Sequence, residues 1–348
     1  MSIKNKIIKK ILKNNFEIRI DKFIEECLYN KDSYYIVKDP IGLSGDFITS
    51  PEISQMFGEI LGLYILNLWL NNINNKFNLI ELGPGKGTLL NDIIRVSKIR
   101  KNFLTNANIL LVENNKILKN RQKKLINNIE LKNVKWLNNV KLKSKLPSII
   151  YANEFFDCIP VRQFYKKEYW FEKYIKYDFN NNIFYMNDKL ITNKKILNEV
   201  IKYEKNKIAE ISFKRRNIFN QICDHLKKFK GFMIVIDYGY YYPIKNFTLQ
   251  SVSNHKKTHI FENIGEQDIT SHVNFKEFIQ IALDNKLKIE TYCNQKNFLI
   301  SNGIAKRKKN LLVKKSKKIK AEINLQYKKL TDLNHMGKEF KFLIVSSL

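Results

Sequence analysis

Asn78-Leu79-Ile80-Glu81-Leu82-Gly83-Pro84-Gly85-Lys86-Gly87-Thr88 decides the fold of this chain, because an apolar run ending in Glu-x-Gly-x-Gly-x-Gly reads as a strand turning tightly into a helix. Glycines at alternate positions allow positive φ and let a ligand approach where a Cβ would collide. Such a turn belongs at the carboxyl end of a parallel strand, where open α/β sheets bind small molecules. A tight turn with no ligand is the bland alternative.

Two phosphate-binding loops can be tested against the letters. A P-loop needs Gly-Lys-Ser/Thr after a four-residue gap, but Lys86 is followed by Gly87, so that reading is rejected. The dinucleotide fingerprint needs G-x-G-x-x-G, and this loop has G-x-G-x-G. The closer fit is S-adenosylmethionine. A second strand, Asn108 to Glu113, ends in an acid 26 residues after Gly87, which leaves room for one helix from Thr88 to about Lys98 and a short loop. That is the length of a βαβ crossover, and the carboxylate of Glu113 there can accept from both ribose hydroxyls.

Length and composition bound the rest. With 348 residues and 44% apolar content, the chain suits one large domain or one domain with an elaborate insertion. The longest nearly apolar run, Leu61 to Leu70, is too short for a membrane span. The Lys-rich start, Met1 to Phe16, has no h-region, cleavage site or transit-peptide arginines and reads as a first helix, so a cytoplasmic location is expected. Cys27, Cys158, Cys223 and Cys293 are widely spaced and five histidines are scattered, so no metal is expected. The net charge of +29 would suggest nucleic acid, yet only 8 of 62 basic residues are Arg and Lys, Asn and Ile crowd the whole chain. The densest cluster, Lys306 to Lys320, lacks interleaved aromatics and reads as a solvated helix, so dedicated nucleic-acid binding is not expected.

Along the chain, residues 1–75 read as a helical preface, with helices near Ile3 to Asn14, Ile18 to Tyr29 and Glu52 to Leu70. Ser50 is placed to cap the third and Pro51 to enter its first turn. The glycine-rich loop Gly42 to Thr49 suits a site. Residues 76–163 form the first part of a core, closing with the strand Ser148 to Ala152. Asn153, Glu154 and Asp157 then lie at the ligand edge, with Asp157 as a helix cap the plainer reading. Residues 164–229 read as an insertion, with period-two aromatics around Asn180-Asn181-Asn182, the segment Ala209 to Ser212 and a helix from Arg215 to Phe229. Residues 230–348 complete the core with a buried strand, Gly231 to Tyr240, and two last strands at Leu287 to Tyr292 and Phe340 to Val345.

On these residues the chain resembles the MidA family of S-adenosylmethionine-dependent methyltransferases. The match rests on Gly45-Asp46-Phe47-Ile48-Thr49-Ser50-Pro51-Glu52 through Glu59, Glu81 to Leu89, Ala152 to Asp157, Ile236 to Tyr240, Gly265 to Val273 and Met336-Gly337. Asp32-Ser33-Tyr34-Tyr35 stands where the family carries a Gly-Tyr-Tyr element. The resemblance implies an α/β class I methyltransferase fold: a Rossmann-like sheet, mostly parallel with a final antiparallel strand, plus the helical preface and the inserted β/α segment. It implies an enzyme using S-adenosyl-L-methionine, acting as a protein arginine methyltransferase on a respiratory complex I subunit during assembly. An RNA or small-molecule methyltransferase and a non-catalytic assembly chaperone are the rivals.

For arginine as acceptor the site needs carboxylates that grip the guanidinium. Glu154 is the first choice, with Asn153 and Asp237 shaping the pocket and Asp157, Glu210 and Asp46 as helpers. Glu81, Gly83, Pro84, Gly85, Gly87, Thr88, Glu113, Asp46 and Phe47 are expected around the cofactor. Phe47, Phe155 and Phe156 can stack on adenine or face the sulfonium, core packing being the bland alternative for the Phe155-Phe156 pair.

Overall fold

The computed structural model describes every residue except 38–41, 43, 44, 47, 129, 130 and 132, and the site candidate Phe47 lies outside the described residues. Two compact units emerge, each assembled from three chain segments. One holds Met1–Phe47, Asp157–Asn217 and Tyr240–His272; the other holds Ile48–Phe156, Ile218–Gly239 and Val273–Leu348.

The second unit contains the main sheet. Its seven principal strands run in the spatial order Lys288–Asn294, Phe340–Ser346, Gly231–Tyr240, Ser148–Asn153, Phe77–Leu82, Ala107–Val112 and Val134–Leu137, with Val273–Asn274 also pairing to Gly231–Tyr240. Among the seven principal strands the neighbours are parallel except along Phe340–Ser346, which is antiparallel to both strands beside it. This is the class I methyltransferase arrangement. The strands read as unbroken apolar runs because helices cover both faces, so no polar alternation is needed. From Phe77–Leu82 the next strand in the chain lies on one side and the strand after Val134–Leu137 on the other. The order therefore reverses there, and a crevice opens at the carboxyl ends.

The expected helix from Glu52 to Leu70 is in fact two. Ser50–Ile53 forms one short turn with Pro51 inside it, and Gln55–Asn72 follows after a break at Ser54, whose backbone is extended and whose hydroxyl accepts from the Met56 N–H at 3.3 Å. Ser54, not Ser50, therefore caps the long helix, and the Ser50 hydroxyl instead meets Gln295 Oε1 at 3.2 Å. The long helix is apolar on nearly all sides, as a helix enclosed by other elements must be. A Cβ added at Gly58 or Gly62 would fall within 3 Å of Asp92 or Val96, so those glycines let it lie close to the helix Thr88–Ser97. That close packing puts residues 48–75 in the unit of the main sheet, whereas the sequence reading grouped them with the preface at a boundary after residue 75.

The first unit has two sheets of its own. Ile18–Arg19, Arg162–Lys166, Trp170–Asp178, Ile183–Leu190 and Ile208–Ile211 form a five-stranded antiparallel sheet, and the expected hairpin turns at residues 179–182. Gln250–Ser253, Lys256–Thr258 and Asp268–Thr270 make a three-stranded meander. Ile7, Ile11, Phe23, Ile24, Leu28, Ile175 and Phe184 pack together as the core of this unit. The start of the expected second helix is a two-residue strand, Ile18–Arg19, and the helix proper is Ile20–Tyr29. Among the described residues, no helix is long and apolar enough to cross a membrane.

Candidate active site

Gly83, Gly85 and Gly87 take φ values of +66°, +54° and +84°, the left-handed backbone that the alternating glycines allow. The turn is tied down at both ends: the Gly83 N–H donates to the Val112 carbonyl at 3.0 Å, and the Gly87 N–H to the Pro84 carbonyl at 2.8 Å. A side chain at Gly83 would put its Cβ 3.0 Å from the ring of Phe155, which would have to give way by a few tenths of an ångström. Phe155 therefore sits over the loop. Its neighbour Phe156 is fully buried against Phe219 and Phe278, which is core packing.

Two acids flank this loop. Glu81 is buried in the strand before it and accepts from the Tyr151 hydroxyl at 3.1 Å. Burial pushes its carboxyl up to about 8, against the hydrogen bond from Tyr151 and with a smaller push from the negative Glu113. Glu113 ends the next strand, and its Oε1 accepts from the backbone N–H groups of Asn114 and Asn115, both at 2.8 Å. Burial raises its pKa, while those N–H groups pull it down. Thr88 opens the following helix, and its hydroxyl donates to Glu52.

On the other side of the crossover point, Asn153 and Glu154 leave the Ser148–Asn153 strand. Glu154 has φ +50°, a left-handed conformation that is costly for a residue with a Cβ. It is held there by its N–H, which donates to the Ile236 carbonyl at 2.9 Å. Its Oε1 accepts from the Ser50 N–H and from Asn153 Nδ2, each at 3.2 Å. Asn153 Oδ1 is buried and has no hydrogen-bond partner among the described residues. An orphaned acceptor of this kind calls for a donor that the described residues do not supply. Asp237, fully buried at the end of the next strand, fixes the corner by accepting from the N–H groups of Phe156 and Tyr238, both at 3.0 Å.

The other candidates belong to the first unit. Asp46 accepts from the Tyr34 hydroxyl and the Asn254 N–H, each at 2.7 Å. Asp157 accepts through Oδ1 from the Cys158 N–H at 2.8 Å, and its carbonyl accepts from Arg215 Nη2 at 2.7 Å. The Glu210 carboxylate takes Gln163 Nε2 at 2.8 Å, the hydroxyl and N–H of Thr248, and the Leu249 N–H. Glu81, the glycine loop, Thr88, Glu113, Asn153 and Glu154 are thus gathered in the unit of the main sheet, and Asp46, Asp157 and Glu210 are not. Sequence reasoning missed Glu52 and Gln122. The signal for Gln122 was a polar residue interrupting the buried stripe Leu118, Gln122, Ile126 of a Lys-rich helix.

A family model of S-adenosyl-L-methionine-dependent methyltransferases matches residues 60–293. The chain belongs to this family, the MidA family of its motifs. The methyltransferase is 28% identical over 361 residues to the Homo sapiens protein named protein arginine methyltransferase NDUFAF7, mitochondrial, covering 95% of this chain and 80% of that one. The Danio rerio protein of the same name is also 28% identical, over 94% of this chain and 83% of its own. A crystal structure from Burkholderia thailandensis bound to S-adenosyl-homocysteine superposes with TM-score 0.86 at 20% identity, covering 99% of this chain and 91% of that one. S-adenosylmethionine is accordingly the cofactor, and the residues present fit it: three left-handed glycines leave the backbone of the turn open to a ligand, and the Glu113 carboxylate follows the adjoining strand Ala107–Val112.

Proposed function

We propose that this methyltransferase modifies arginine in a protein substrate, a subunit of respiratory complex I during its assembly. The observation that carries the reading is the pair Asn153 and Glu154. A carboxylate fixed in a strained backbone and a buried, unfilled amide oxygen lie on adjacent residues at the carboxyl end of a central strand. A guanidinium presents several N–H donors in one plane, and such a pair of acceptors matches it better than it matches a hydroxyl or a ring nitrogen. The names of the human and zebrafish relatives support the same acceptor, and the assembly role comes from the family resemblance.

When bound, the cofactor supplies a methyl group on a sulfonium, open to in-line displacement. Glu81, Gly83, Pro84, Gly85, Gly87, Thr88 and Glu113 are the residues proposed to hold it, and Asp46 is proposed as a further cofactor residue. Glu154 would orient the guanidinium and accept the proton that the nitrogen releases, while Asn153 Oδ1 takes a second N–H. Positioning of this kind supplies much of the rate enhancement in a displacement that needs no covalent intermediate. Asp157 and Glu210 are proposed as helpers.

Transfer of isotope-labelled methyl into an extract of undermethylated cells, followed by protease or nuclease digestion, tests the proposal. Protease-sensitive label at arginine is the expected result. Nuclease-sensitive label would replace it with an RNA methyltransferase, and no label despite cofactor binding would favour an assembly chaperone. Glu154→Gln should keep cofactor binding and lose turnover. Retained turnover would remove Glu154 from the acceptor site.

A further inference from the structure

We propose that Gln122 is a positioning residue for the cofactor, one side-chain amide that fixes the spacing between the Gly85 carbonyl and the Glu113 carboxylate. The inference rests on the reading that the 83–87 loop and Glu113 hold the cofactor. Gln122 lies on the helix Lys116–Asn128 and is fully buried.

Its amide can point only one way. The indole N–H of Trp136 is purely a donor and lies 2.8 Å from Gln122 Oε1; the Gly85 carbonyl is purely an acceptor and lies 2.7 Å from Nε2. Turning the amide over would set donor against donor and acceptor against acceptor. With the orientation fixed, Nε2 also faces Glu113 Oε2 at 3.5 Å, at the long limit of a hydrogen bond and close enough to favour the carboxylate's charge. Helix, strand and loop are thereby keyed to one another. A Cβ at Gly87 would fall 3.6 Å from the Gln122 side chain, so the amide also packs under the end of the turn.

The charged groups that bear on Glu113 are Glu81, which opposes its ionisation, and Lys119, which favours it. Lys123 sits with its Nζ 5.6 Å from the centre of the Trp136 ring, at the far end of the relay. The Gln122 amide is one of the donors that lower the Glu113 pKa against burial. Removing it should both loosen the loop and make Glu113 harder to ionise.

Calorimetric titration of the full-length protein with S-adenosylhomocysteine, from about pH 5.5 to about pH 8.5, tests this with the variants Gln122→Met, Trp136→Phe and Glu113→Gln. Gln122→Met, close in size, should bind about tenfold more weakly or worse, the scale of one lost buried hydrogen bond. Its half-maximal affinity should move to higher pH. Trp136→Phe should show the same two changes to a smaller degree, because the amide is then free to turn. A folded Gln122→Met protein with wild-type affinity overturns the inference. So does weakened binding with an unmoved pH midpoint, which would make Gln122 a packing residue only. If Gln122→Met fails to fold, Trp136→Phe decides on the same two readouts. Wild-type binding by Glu113→Gln would instead defeat the cofactor reading itself, whereas weak binding by Glu113→Gln beside a normal Gln122→Met defeats only the role of Gln122.

Discussion

Glu81→Gln should make the cofactor-free protein more stable, and increasingly so as pH rises. In the folded chain burial lifts the Glu81 carboxyl from an ordinary 4.5 to about 8, so between these values the folded state holds a proton that the unfolded chain has released. Stability then falls with rising pH at about 1.4 kcal/mol per unit, tapering as the folded pKa is approached. From pH 6 to pH 8 the integrated loss from this one carboxyl is about 2 kcal/mol. For a unit of about 200 residues that is a melting shift of roughly 4 to 8 °C. The amide that replaces the carboxyl keeps an acceptor for the Tyr151 hydroxyl and has nothing to ionise. The assay is the melting temperature of both proteins, free of cofactor, across this pH range. The expected result is a wild-type curve that drops by several degrees more than the variant's. Asp268, lifted to about 7 by burial and by Asp157 and Asp46, adds a slope of the same sign in both proteins and cancels in the difference. Parallel curves would refute the buried, protonated Glu81.

Three further substitutions test the frame around the site. Gly83→Ala forces a side chain into φ +66° and its Cβ to 3.0 Å from Phe155; a stability loss of about 1 to 2 kcal/mol in denaturant melts, with weaker cofactor binding, is expected. Gly231→Ala would place a Cβ 1.9 Å from the Ser148 carbonyl oxygen inside the central strand pair, and a loss of about 3 kcal/mol or more should appear as failure to accumulate folded protein. Arg215→Met removes donors from the carbonyls of Asp157, Ser271 and His272, all in the first unit, and should destabilise by about 2 to 3 kcal/mol in chemical denaturation.

Much of the main sheet was legible because its strands are enclosed on both faces. Phe77–Leu82, Ser148–Asn153 and Gly231–Tyr240 read as apolar runs, and each ends in a turn with an acid or amide. The final antiparallel strand came only from the family resemblance, since nothing in Phe340–Ser346 encodes its direction. The break at Ser54 was hidden because apolar residues continue across it, and the capping bond that makes it depends on one hydroxyl. The three-stranded meander was illegible for another reason. Strands such as Lys256–Thr258 carry no apolar alternation; they are held by tertiary bonds, among them Thr258 Oγ1 to Gln267 Oε1 at 2.7 Å. At the site the glycines and end-of-strand acids announced themselves, but Gln122 did not, because a lone polar residue is meaningful only once its burial is known.

The raised carboxyl of Glu81 gives the empty site a cost that a cationic ligand is suited to offset. The half-buried Glu113 opposes the ionisation of the buried Glu81 when no ligand is present. S-adenosylmethionine carries a net positive charge and favours the ionised form of any carboxylate beside it. Binding should therefore release a proton at neutral pH, and affinity should rise with pH over the same range in which the cofactor-free protein loses stability. Calorimetry in buffers of different ionisation enthalpy measures that proton directly. S-adenosylhomocysteine, which lacks the sulfonium charge, should release less of it, and Glu81→Gln should release less with either ligand. Equal proton release by the two ligands would place Glu81 outside the reach of the sulfonium.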